Sequence, residues 1–298
     1  MFNRFLAAAV LIAMLYLPGC SEDASNNPAV QNGNLNLIVN GLEDLGSTAV
    51  YEGWIIVSGS PKSTGTFTVN SSGQLSKSSF EVNLSDLNNA TAFVISIEPV
   101  PDPSPDPSSN KILAGDFSGN TANILISHPA ALGTDFSSAS GSYIIGTPTD
   151  GEMNNELSGI WFLKLPPPPQ QGLQLPVLPS GWKYEGWVVV PGSSSPLSTG
   201  KFTSASGSDE ASPYSGSMPG PPFPGEDLLQ NAPSGYTFPV NLQNGVAVIS
   251  IEPDPDNSAA PFALKPLVGN IPADAADHVT YNMANQSSAN NPSGTVTR

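Results

Sequence analysis

One seven-residue block occurs twice in this chain. Tyr51-Glu52-Gly53-Trp54-Ile55-Ile56-Val57 returns as Tyr184-Glu185-Gly186-Trp187-Val188-Val189-Val190, 133 residues later. Ser63-Thr64-Gly65 with Phe67-Thr68 returns as Ser198-Thr199-Gly200 with Phe202-Thr203, at an offset of 135. Phe80, Val82, Asn83 and Leu84 return as Phe238, Val240, Asn241 and Leu242 at 158. Val94-Ile95-Ser96-Ile97-Glu98-Pro99 returns as Val248-Ile249-Ser250-Ile251-Glu252-Pro253 at 154, and Lys111, Leu113 and Gly115 as Lys265, Leu267 and Gly269 at that same offset. Five blocks in one order describe a duplicated unit, so the fold must be one that can be built twice. The changing offset places a Pro/Gly-rich insertion near residues 204–236 of copy two, followed by a shortened turn.

The unit is made of strands. Leu35, Leu37 and Val39 alternate with asparagines, Phe67 and Val69 with Thr66, Thr68 and Asn70, and Phe80, Val82 and Leu84 with Glu81, Asn83 and Ser85. Period two with one apolar face is a half-buried strand. No segment after the N-terminal apolar run sustains a 3.6 period, and Pro or Gly interrupts nearly every long window. Each copy reads as seven or eight short strands. The expectation is an all-β chain of two tandem β-sandwich, immunoglobulin-like domains. Copy one spans 34–165, a Pro-rich linker 166–171 and copy two 172–298. Leu242-Gln243-Asn244-Gly245-Val246 predicts a type I′ hairpin, because Asn-Gly accepts positive φ at both positions. Copy two reads as lacking its last strands. At offset 154, Tyr143 maps to position 297, and neither Tyr143-Ile144-Ile145 nor Ile160-Trp161-Phe162-Leu163 has a counterpart. This leaves either an open sheet edge or one covered by another chain.

The N-terminus reads as a targeting segment over residues 1–19. Arg4 precedes a 13-residue apolar run, Phe5 to Leu17, too short for the ~20 residues of a membrane span. Leu17-Pro18-Gly19-Cys20 resembles a bacterial lipobox, which implies cleavage before Cys20 and acylation of its sulfur. Two or three acyl chains give stable anchoring where one does not. Ser21-Glu22-Asp23 resembles the acidic signal that sends lipoproteins of Bacteroidetes-type bacteria to the outer surface. Residues 20–33 are a flexible tether. The expected location is the cell envelope, at the outer membrane, periplasmic or surface-exposed. Cys20 is the only cysteine, which excludes a disulfide framework. A net charge of −16 without a basic run argues against nucleic acid.

The repeated blocks resemble the extracytoplasmic C-terminal domain of anti-sigma-K factors. The resemblance rests on Tyr51, Trp54, Gly65, Phe67, Glu98, Pro99 and Leu113-Ala114-Gly115. In copy two it rests on Tyr184, Trp187, Gly200, Phe202, Glu252, Pro253 and Leu267-Val268-Gly269. It implies an extracytoplasmic sandwich that senses, binds or docks. A full anti-sigma factor also has a sigma-binding domain and a transmembrane helix. Neither pattern is found in this sequence, so sigma-factor inhibition is not carried over.

Chemistry-bearing candidates are few. His128 and His278 do not coincide between the copies. A Ser127/His128/Asp135 triad lacks any nucleophile elbow. Glu98 and Glu252, each before a Pro, read either as ligand-facing acids or as acceptors of turn N–H groups where Pro stops the ladder. The acidic loops around Asp102 and Asp106, and around Asp254 and Asp256, carry oxygens that suit calcium, but lack EF-hand spacing. The pairs Tyr51/Trp54 and Tyr184/Trp187 stand three apart, so one of each pair enters the core. The expectation is a non-enzymatic protein with no cofactor or metal. Its partners are the membrane, through Cys20, and an unknown envelope protein or a glycan.

Overall fold

Alternation becomes sheet where it is strictest. Along β1 (Asn32–Asn40), Leu35, Leu37 and Val39 are buried and Asn34, Asn36, Ile38 and Asn40 are exposed. The computed structural model describes residues 31–298 except Glu152, Met153, Pro166, Ser194 and Asn257. Cys20, the targeting segment and most of the tether lie outside the described residues. The strands after β1 are β2 (Ala49–Val57), β3 (Ser60–Phe67), β4 (Ser79–Asn83), β5 (Ala90–Pro99), β6 (Lys111–Ser118), β7 (Thr121–Leu125), β8 (Gly141–Ile145) and β9 (Gly159–Trp161). A two-residue pair follows, β10 (Leu163–Lys164) and β11 (Gln170–Gln171). Then come β12 (Trp182–Val189), β13 (Leu197–Phe202), β14 (Gly225–Asp227), β15 (Val246–Pro253), β16 (Leu267–Asn270), β17 (Tyr281–Asn285) and β18 (Ser293–Thr297). Helix α1 (Leu84–Asn89) joins β4 to β5, its first turn capped by Asn83, which accepts from Asp86 N at 3.1 Å.

The protein is nearly all β, with two eight-stranded antiparallel sheets. Sheet one runs β3-β2-β5-β6-β7-β18-β1-β4, and sheet two β13-β12-β15-β16-β17-β8-β9-β14. Each curls until its edge strands touch, β3 against β4 and β13 against β14. The two orders match position for position, with one crossing. β8, which follows β7 in the chain, lies in sheet two between β17 and β9. β18, which follows β17, lies in sheet one between β7 and β1. β9, also within 34–165, lies in sheet two as well, so the first half gives β8 and β9 to sheet two and receives β18.

This changes the expected picture of an unfinished copy two. Its edge is neither open nor left to another chain. Tyr281, Asn282 and Met283 pair with Tyr143, Ser142 and Gly141 of β8. A strand edge carries unpaired N–H and C=O groups, and the first half supplies the strand that satisfies them. Ile160 and Trp161 likewise pair in sheet two, with β8 and β14.

The Asn-Gly hairpin also differs. Gly245 N donates to Leu242 O at 2.9 Å, so a turn forms. Only Asn244 of these residues takes positive φ (64°), which is not a type I′ turn. Phe238–Leu242 joins no sheet, because Pro239 offers no N–H to a ladder. β14, from within the insertion, takes the place beside β9 instead.

One apolar core runs through both sheets, from Leu35 and Phe80 to Phe162, Tyr184 and Phe202. The outer faces are partly covered as well. Trp54 packs there with Val94, Ala114 and Ala131, and Trp161 with Ile144 and Leu163. As the spacing of three implies, one of each Tyr/Trp pair enters the main core, and its partner on the opposite face is buried too. Tyr51 and Tyr184 enter the main core, while Trp54 belongs to the outer cluster.

Candidate functional site

Ser96 and Glu98 are two apart on β5, so they share a face. Trp54 on neighbouring β2 donates its indole Nε1–H to Ser96 Oγ at 2.7 Å. Ser96 donates to the Glu98 carboxylate, and Glu98 Oε1 accepts the turn N–H of Ser108 at 2.9 Å. Copy two repeats the chain of bonds. Trp187 donates to Ser250 at 2.8 Å, Ser250 donates to Glu252, and Glu252 accepts Phe262 N at 3.0 Å. Both acids are buried and hold the turn after the strand, where Pro99 and Pro253 end the ladders. Burial pushes Glu252 up to about 7.

A second acid stands on the neighbouring strand, Glu52 on β2 and Glu185 on β12. Ser63 donates to Glu52, and Ser198 donates to Glu185 at 2.5 Å. Beside these pairs the register slips at Gly53/Trp54 and Gly186/Trp187. Opposite the slips, Gly65 and Gly200 take φ of 112° and 117°, which side-chain-bearing residues avoid. Phe67 stacks on Tyr51 at 5.5 Å and Phe202 on Tyr184 at 5.7 Å. Tyr51 OH donates to Glu43 O and Tyr184 OH to Pro176 O, and burial raises both phenols.

The loops that follow β5 and β15 border one groove of about 910 Å³, lined by Glu43, Asp44, Asn110, Asp254, Asp256 and Phe262 among others. It crosses from one half to the other. Glu43 accepts Ala263 N there, and desolvation lifts its carboxyl to about 7. Asn110 donates to Gly181 O. Among the described residues, two groups of acidic or histidine side chains converge closely enough for a cation: Glu185/Glu252/Asp256 and Glu156/Asp277/His278. In the second group Glu156 accepts Thr147 N, while Asp277 and His278 bond each other.

The triad written from the sequence does not assemble. His128 Nε2 stands 3.5 Å from Asp116, and Asp135 accepts from the N–H and hydroxyl of Ser137. Several functional groups had no signal in the sequence. The insertion brings Asp209, Glu226 and Asp227 onto sheet two. Trp161 Nε1 donates to Asp227 at 2.7 Å, and Ser215 donates to Glu226 at 2.7 Å. Burial lifts Asp209 and Glu226 to about 7. These acids sit in a Pro/Gly-rich stretch without periodicity, so only the folded arrangement reveals them.

These contacts define a class: an antiparallel β module in which the acids shared by the two halves hold strand ends and turns. Residues 29–112 match the family model described as Anti-sigma-K factor rskA, C-terminal. That span runs through β1 to β5 into β6 and contains Tyr51, Trp54, Gly65, Phe67, Glu98 and Pro99. No curated protein and no solved structure matches the chain.

Proposed function

We propose that this chain is a lipid-anchored extracytoplasmic lipoprotein that binds a partner or senses the state of the envelope. It has no catalytic role and acts without a sigma-binding domain. The observation that carries this reading is the family match over residues 29–112, a short tether downstream of the lipobox that ends at Cys20. Among the described residues, no helix is long and apolar enough to cross a membrane. Acylation of Cys20 supplies the attachment, and outer-membrane placement follows from Ser21-Glu22-Asp23.

A second reading, a glycan-binding surface protein, is favoured by one face of sheet one. Asn36, Thr297 and Thr121 stand in cross-strand register there, as do Ile38, Thr295 and Asn123. These uncharged amides and hydroxyls, set around the exposed Ile38, suit a neutral polyol better than an ion.

Cell fractionation with metabolic palmitate labelling tests the anchor. Cys20→Ala is expected to move the protein from the membrane to the soluble fraction and abolish the label. Unchanged partition with retained label defeats the reading. Crosslinking in intact cells followed by pull-down then names a protein partner, and a glycan array tests the second reading.

A further inference from the structure

We propose that Glu185, Glu252 and Asp256 bind one divalent cation of the calcium class, beside the groove at the end of β15. One oxygen from each carboxylate lies within 4.8 Å of those of the other two. Oxygens that share an ion at the ~2.3–2.6 Å of calcium bonds stand no further apart than about twice that length. Glu185 is only 4% exposed. Its Oε1 accepts from Ser198, and its Oε2 has no hydrogen-bond donor. Asp256 Oδ2 is also buried without a donor. Anionic oxygens taken from water and left without a donor are costly, and a bound cation removes that cost.

Lys201 does not fill this role. Its Nζ stands 4.0 Å from Glu185 Oε2 and 3.9 Å from Asp256 Oδ2, beyond hydrogen-bond reach. It donates instead to the backbone carbonyl of Asp256. The donors are all carboxylate oxygens, which select hard cations over zinc or copper. Asp256 lines the groove, which gives an ion its way in. The inference does not depend on the partner or the anchor proposed above.

Calorimetric titration of calcium chloride into the chelator-treated full chain tests it. One saturable site per chain is expected. Glu185→Gln and Asp256→Asn should each weaken it by about tenfold or more. Lys201→Met should tighten it by removing a like charge, which binding to the acidic surface at large would not show. Asp256 sits in a loop, so its variant remains informative if Glu185→Gln fails to fold. Absence of saturable heat up to about 10 mM, well above the ~1 mM of weak extracellular calcium modules, overturns the proposal. So does unchanged binding in folded Asp256→Asn.

Discussion

The surroundings of β2 and β12 share a skeleton and differ in charge. The Trp-to-Ser bonds are 2.7 and 2.8 Å, and the acid two residues beyond each Ser holds a turn N–H in both halves. Around that skeleton the halves part. Thr64 Oγ1 donates to Gly53 O at 2.9 Å, whereas the buried Thr199 Oγ1 has no partner. Thr66 stands where copy two has Lys201, and Asp102 is exposed where Asp256 is partly buried. Copy two also carries the insertion with Asp209, Glu226 and Asp227. The shared chain of bonds is what ends a buried strand at a Pro without orphaning an indole, a hydroxyl or a carboxylate. Charge gathered around it is free to differ, and copy two has drawn more of it inside, with Glu226 and Asp227 buried and Lys201 and Asp256 partly buried.

Removing β18 should break this comparison most severely. Deletion of Ser293–Thr297 exposes the ladder edges of β7 and β1 and removes Val296, which is fully buried. A loss of more than about 4 kcal/mol is expected. Hydrogen exchange should show protection lost first in β1 and β7 of sheet one, although β18 follows the strands of sheet two. Loss confined to sheet two would contradict the exchanged arrangement.

Gly115 and Gly269 are repeat equivalents with unequal surroundings. A Cβ at Gly115 falls 2.0 Å from the backbone oxygen of Asn123, which cannot step aside. At Gly269 the nearest atom is Tyr143 Cε1 at 2.8 Å, on a side chain. Gly115→Ala should cost about 3–4 kcal/mol and Gly269→Ala about 1–2. Chemical denaturation measures both, and equal costs would show the two halves to be interchangeable here.

A pH slope is also expected, to which the insertion contributes alongside Glu43 and Glu252. Asp209 and Glu226 are raised to about 7 when folded, so between about pH 4 and pH 7 the native state holds protons that the unfolded chain has released. Stability therefore falls as pH rises through that window and levels off above it. Glu226→Gln should flatten part of the slope in thermal melts at pH 5, 6, 7 and 8. A melting temperature that rises with pH, or a slope unchanged by the substitution, would remove these carboxyls as its source.

Much of the fold was legible where a physical signal was local. Leu35, Leu37 and Val39 announced β1, and Phe80 and Val82 announced β4, because period two leaves a mark on the sequence. The duplicated Tyr-Glu-Gly-Trp block located β2 and β12. Pairing partners were less accessible. Nothing in Gly141–Ile145 says that it lies beside β17 and not β7, since both edges want an alternating strand. β14 was hidden because Gly225-Glu226-Asp227 is too short and too polar to show a period. It is held by Trp161, Thr149 and Ser215, and those contacts are distant in the chain. Glu43 was missed for the same reason, because its partner Ala263 lies in the other half.

The crossing of β8 and β18 has an evolutionary edge to it. A recombination event that copied either half elsewhere would deliver a sheet with a gap and a strand with nowhere to lie. Selection can tune the halves separately, but the cassette that must be inherited intact is the pair.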